Sequence, residues 1–147
     1  MGEGIASDYA IDVVWEGGMR YQGGPSGGAM MLLDGERQVA PSPVDAVLVA
    51  LASCSAIDLV EILNKRRTPP TDVRVVVEFS RAAESPKRVT RVLLHFQVTA
   101  ASERVHVERA IALSFEKYCS VSASFAPDTA IRWDLELKCE GVAGESA

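Results

Sequence analysis

The chain has 147 residues and a mass of 15.8 kDa, the size of one ordinary domain, which buries about 70% of its unfolded surface. Hydrophobic residues at 48% and charged residues at 24% exclude a disordered or low-complexity chain. A formal net charge of -5, with a pI near 5.0, excludes a dedicated nucleic-acid binder, which needs a basic surface to displace phosphate counterions.

The first residues, Met1 to Asp8, carry neither the positive start nor the apolar run of a secretory signal. The residue types also fail the myristoylation pattern, because Ala6 stands where a serine or threonine is needed. The expected location is the cytoplasm. The uncharged run from Ala46 to Ile57 is 12 residues long, short of the roughly 20 that a membrane span needs, so it reads as a buried core helix and no membrane association is expected. Three cysteines, Cys54, Cys119 and Cys139, show no CxxC or Cys/His spacing. Neither a disulfide framework nor a metal site is expected, and no cofactor.

In chain order, Ala10 to Trp15 alternate as a first strand, broken by Glu16-Gly17-Gly18. Met19 to Gln22 return as a second strand, and Gly23 to Gly28 read as a flexible loop without the lysine and hydroxyl of a phosphate-binding motif. Ala29 to Asp34 form a third strand. Ser42 then caps a helix, with Pro43 at its first position and Asp45 three residues on in an approximate capping box. That helix runs to about Lys65, where Lys65-Arg66-Arg67 suit the negative end of the dipole and Thr68-Pro69-Pro70 stop it. Because it is apolar nearly all round between positions 46 and 57, it requires cover on more than one side, which points to a dimer.

Val73 to Ser80 and Arg88 to Thr99 read as an antiparallel pair, with Val92, Leu94, Phe96 and Val98 on one face and Arg91, His95, Gln97 and Thr99 on the other. Ser102 is placed as the cap of a second helix reaching Cys119, with Val107, Ile111, Phe115 and Tyr118 on its apolar side. Ile131 to Cys139 alternate as a last, one-sided strand. The order βββαββαβ gives a single domain over residues 1-147 of the α+β class, mostly antiparallel.

Two readings of Cys54 stand side by side. A thiol in the middle of an apolar helix packs as a small hydrophobe; alternatively it is a nucleophile, which requires a thiolate. Cys54 is three turns in, beyond the reach of the helix dipole, so a cation is needed, and Arg20 of the first hairpin is the candidate. Cys119 sits at the end of the second helix, where access to solvent or a partner is expected. Cys139 extends the apolar face of the last strand and reads as structural. His95 and His106 fall on polar faces and read as solvated.

The segment Ser42-Pro43-Val44-Asp45-Ala46-Val47-Leu48-Val49-Ala50-Leu51-Ala52-Ser53-Cys54, followed 65 positions later by Tyr118-Cys119-Ser120-Val121-Ser122, resembles the OsmC/Ohr family of osmotically induced and organic-hydroperoxide-resistance proteins. The likeness includes Trp15, Gly17 and Gly18 of the first hairpin and the final strand. It implies an intertwined homodimer, with two mostly antiparallel sheets around long buried central helices. It also implies thiol-dependent reduction of organic hydroperoxides, with Cys54 attacking, Cys119 resolving, Arg20 matching the family arginine and an external thiol resetting the pair. The characterised peroxidases carry a glutamate ten residues before the first cysteine, where this chain has Val44. Asp45 is adjacent, but one helical step turns it by about 100°. The match is thus closer to the OsmC-like branch. Two other classes remain open: a structural disulfide, which closing such a loop stabilises by roughly 4 kcal/mol, and a non-enzymatic protein binding an apolar or lipid-like ligand in the dimer cleft.

Overall fold

The computed structural model describes residues 6–139. The element order is β1 (Ile11–Gly17), β2 (Arg20–Pro25), β3 (Met31–Asp34), α1 (Pro43–Lys65), β4 (Pro70–Arg81), β5 (Val89–Ala100), α2 (Arg104–Leu113) and β6 (Ala130–Cys139). This is the α+β order expected from the sequence. Backbone contacts gather the chain into two compact units, one ending at Leu48 and the other starting at Val49, so the boundary falls inside α1.

The N-terminal unit is an antiparallel sheet in the order β1-β2-β3. Gly17 and Gly18 turn the first hairpin at φ of 101° and 55°, a region that glycine enters without a Cβ penalty, and the Trp15 indole N–H donates to the Gly18 carbonyl at 2.9 Å. The expected loop starts later than Gly23. Gly23, Gly24 and Pro25 pair with Val13, Asp12 and Ile11 as the end of β2, and a Cβ on Gly24 would collide with the Ala29 carbonyl. Here glycine serves a close backbone approach inside a strand. Among the described residues of this unit only Gly23, Asp34 and Leu48 are buried, while Ile11, Val13, Trp15 and Met31 stay exposed.

The start of α1 follows its local grammar. The Asp45 N–H donates to Ser42 Oγ at 3.1 Å and the Ser42 N–H to the Asp45 carboxylate at 3.0 Å; such a reciprocal cap contributes about 1 kcal/mol. At the other end Arg67 adopts φ 63°, with Arg67 N–H to Asn64 O and Thr68 N–H to Leu63 O both 2.9 Å. That pair of bonds is a Schellman motif, closed by an arginine where glycine is usual. The helix is long and apolar enough to cross a membrane, but Leu51, Ser55, Leu59 and Leu63 are fully covered by protein, which makes it the core helix of this fold. Only this stripe is covered; Val47, Val49 and Ile57 are exposed.

In the C-terminal unit β5 is the central strand, antiparallel to β4 and parallel to β6. The parallel pair arises because α2 and the turns after it carry the chain back to the end of the sheet at which β5 begins, so that Ala130 starts β6 beside Arg91. On β5, Val92, Leu94, Phe96, Val98 and Ala100 are buried and share the core with Leu51, Leu59 and Leu63 of α1 and Val107, Ala110 and Ile111 of α2. The rings of Phe96 and Phe115 meet edge to face at 6.4 Å.

On the opposite face His95 is more engaged than a solvated histidine. Its Nε2 lies 2.9 Å from Glu78 of β4 and its Nδ1 2.9 Å from Asp134 of β6, so one imidazolium ties all three strands. The hydrogen bonds that its ring N–H groups donate to Glu78 and then to Asp134 hold its pKa above the ordinary histidine value. A raised pKa in the fold contributes stability that is complete below the unfolded value and fades as pH rises through the folded one. The melting temperature of the wild type should therefore exceed that of His95→Gln by more at about pH 5.5 than at about pH 9; an equal or larger gap at the higher pH would contradict the pairing.

Candidate functional site

Cys54 and Asp58 are four residues apart on α1, hence on the same face one turn apart. The second partner comes from the far end of α2. The sequence places its cap at Ser102 and its reach at Cys119; the helical segment does reach Cys119, but the cap needs correction and the last turn is not α-helical. Glu103 occupies the cap position without a side-chain cap bond, and the Ser102 hydroxyl is buried with no partner. The α-helix ends at Leu113, and Ser114–Tyr118 form a single π turn, an insertion common at functional sites. Its closing bond runs from the Cys119 N–H to the Ser114 carbonyl at 2.7 Å.

That turn does two things. It leaves the fully buried Ser114 aimed at α1, where its hydroxyl donates to the Asp58 carboxylate at 2.7 Å. It also turns Cys119 inward, so that the sulfurs of Cys54 and Cys119 and a carboxylate oxygen of Asp58 all lie within 4.8 Å of one another. Cys119 is thus buried, not the accessible helix-end thiol that the sequence suggests. Burial pushes its pKa up, against the hydrogen bond that its sulfur accepts from the Ser122 N–H at 3.3 Å. Cys54 is half-buried, while Cys139 is exposed at the end of β6 and not the packed residue expected from its strand face.

The other two residues proposed from the sequence belong to the N-terminal unit, where each faces its own charge. Arg20 Nε lies 4.0 Å from the carboxylate of Asp34. Asp34 is buried and accepts the N–H groups of Glu36, Gln38 and Val39 at 2.9 to 3.1 Å. Those bonds, Glu36 foremost, hold its carboxyl below the usual range, with Arg20 adding to the effect. Asp45 instead binds Arg37, at 2.8 Å; its pKa is lowered chiefly by the Ser42 N–H. Asp34 is therefore the acid beside Arg20, and Asp45 is a helix-capping residue paired to a different arginine. His106 Nε2 lies 3.8 Å from the Glu103 carboxylate.

Sequence reasoning missed Asp58 and Ser114. Asp58 had a legible signal, the four-residue spacing from Cys54; Ser114 had none, because the π turn that aims it inward leaves no mark in the apolar periodicity. A cavity of about 380 Å³ opens beside the cluster, lined by Asp58, Glu61, Ile62, Lys65, Arg66, Leu113 and Tyr118.

Comparison with known proteins places this arrangement in context. The family model described as OsmC-like protein matches residues 34–134. Protein YhfA of Escherichia coli K12 is 42% identical over 112 residues, 75% of this chain and 84% of that protein. A hypothetical protein from Aquifex aeolicus superposes with a TM-score of 0.81 at 25% identity, over 92% of this chain and 99% of the other. An organic hydroperoxide resistance protein OsmC from Legionella pneumophila has the same fold, with a TM-score of 0.66 at 19% identity over 89% and 99% of the two chains.

Proposed function

Because the chain belongs to the OsmC-like family, we propose that it is a thiol-dependent peroxidase that reduces organic hydroperoxides in oxidative-stress defence through Cys54 and Cys119. The observation that carries this reading is the meeting of two sulfurs 65 positions apart in sequence, within 4.8 Å of each other and of the Asp58 carboxylate. The name of the Legionella relative, organic hydroperoxide resistance protein, supports the substrate class.

In the first step the Cys54 thiolate attacks the distal peroxide oxygen. The O–O bond breaks, Cys54 becomes a sulfenic acid, and the alkoxide leaves as an alcohol after taking one proton. In the second the Cys119 sulfur attacks the Cys54 sulfur, a disulfide forms and water leaves. Asp58 sits beside both sulfurs and acts as the base that takes the Cys119 proton and passes it to the departing hydroxide. Division of labour follows from environment. Burial keeps Cys119 protonated, so it waits as the resolving thiol while the less covered Cys54 meets the peroxide. Arg20 is the cation proposed to favour the Cys54 thiolate and the peroxide oxygens, with Asp34 orienting it. An external thiol, in the cytoplasm, reduces the disulfide.

The working form is proposed to be a homodimer. The N-terminal unit keeps Ile11, Val13 and Trp15 each more than 60% exposed, and α1 exposes Val49 within its apolar run and Ile57 at the end of it. A second copy is the cover these faces fit.

Two outcomes are expected. One equivalent of organic hydroperoxide should consume two thiols per chain, and peptide mapping should find them joined as Cys54–Cys119 with Cys139 still free; loss of Cys139 instead would overturn the assignment. In sedimentation the chain should be a dimer at micromolar concentration and unfold with a concentration-dependent midpoint, whereas a folded monomer with a fixed midpoint would contradict the assembly.

A further inference from the structure

The donor set at the thiol pair has a second chemical meaning. Two thiols and a carboxylate on facing elements are the ligand types that Zn²⁺ selects, and three protein ligands with an open fourth position describe an accessible zinc site. We propose that the reduced protein binds one Zn²⁺ per chain through Cys54 Sγ, Cys119 Sγ and a carboxylate oxygen of Asp58.

The geometry is close to what the ion requires. Zn–S near 2.3 Å and Zn–O near 2.0 Å at tetrahedral angles set ligand-to-ligand distances of roughly 3.5–3.8 Å; the three donor atoms already lie within 4.8 Å of one another, so about 1 Å of side-chain rotation closes the site. Their backbones are fixed independently of any ion. Cys54 and Asp58 share one helical face, and the π turn holds Cys119 through its bond to Ser114. Ser114 Oγ already donates to Asp58 Oδ2, which orients the carboxylate and leaves its other oxygen for the metal, the outer hydrogen bond that bound ligands usually have. The cavity lined by Asp58, Leu113 and Tyr118 gives entry and room for a water as fourth ligand.

Binding displaces both thiol protons, so affinity rises with pH. It also occupies the lone pairs that attack peroxide. That oxidation empties the site rests on the function proposed above. The two thiolates give two electrons to an organic hydroperoxide, the O–O bond breaks, two protons complete an alcohol and water, and the disulfide left behind has no charge with which to hold Zn²⁺. The pair would then be shielded by the ion while reduced and would release it when oxidised.

The experiment uses the full, reduced chain with Co²⁺ as optical probe and Zn²⁺ as competitor. The expected result is one Co²⁺ per chain with sulfur-to-cobalt charge-transfer absorption, displaced by Zn²⁺. Cys54→Ser and Cys119→Ser should each lose at least half of that absorption, and Cys139→Ser should bind as the wild type does. Asp58→Asn keeps both sulfurs and should bind Zn²⁺ at least tenfold more weakly, with circular dichroism checking that each variant is folded. Absence of charge-transfer absorption, dependence on Cys139, or unchanged affinity in Asp58→Asn would overturn the site. Adding one equivalent of organic hydroperoxide separates the two claims. Thiols that are consumed in a chain that never bound Co²⁺ defeat the metal site and leave the peroxidase. Co²⁺ bound as described, with thiols that peroxide does not touch even after a chelator has removed the metal, supports the site and defeats the peroxidase.

Discussion

The hydrogen bond from the Ser114 hydroxyl to the Asp58 carboxylate, 2.7 Å long, joins the middle of α1 to the end of α2, and the chemistry of the molecule is organised around it. A fully buried hydroxyl needs a partner, and a half-buried carboxylate needs a donor; each meets the other's requirement, and such a charge-assisted bond contributes about 1.5–3 kcal/mol. The same residue begins the π turn whose last bond positions Cys119. One serine thus sets the height of the second thiol over the helix that carries the first. With a regular α-helix through these positions, the side chain of Cys119 would be rotated away by about 100° per residue gained or lost.

The two units differ in how they are held. The C-terminal unit has a continuous apolar core from α1, β5 and α2. The N-terminal sheet has almost none among its described residues, and its order comes from polar contacts: the buried Asp34 carboxylate gathering three backbone N–H groups, and the reciprocal Ser42–Asp45 cap reinforced by Arg37. Such contacts fix the path of a loop but do not shelter Ile11, Val13 or Trp15 from water. At about 25 cal/mol for each Å² of apolar surface removed from water, exposed strands of this composition supply the driving force for the proposed dimer.

Where the signal was local, the sequence was readable. Strict alternation along β5 and β6, the Ser42-Pro43-x-Asp45 start and the Lys65-to-Pro70 stop of α1 each reflect a few neighbouring residues, and each element is present. The errors share the opposite property. Cys139 continues the apolar register of β6 but lies at the strand's exposed end. The local pattern puts Cys119 at an accessible helix end, and a one-residue expansion of that helix turns it inward. The Arg20–Asp34 pair depends on the cross-strand register of β2 and β3, and nothing in the short-range pattern favours Asp34 over Asp45. As for the site, both cysteines were found through the resemblance of their contexts, whereas Asp58 and Ser114 required the tertiary structure.

Cys54 and Cys119 are proposed to work as one catalytic couple, not as neighbours in a packed core. Continuous assay of organic hydroperoxide consumption, with a dithiol reductant in excess, tests this most directly. Many turnovers per chain are expected for the wild type and for Cys139→Ser and none for Cys54→Ser. In Cys119→Ser one fast oxidation is expected, followed by a stall at the sulfenic acid when the reductant is bulky. Equal turnover by Cys54→Ser and the wild type, or none by either, would contradict the couple.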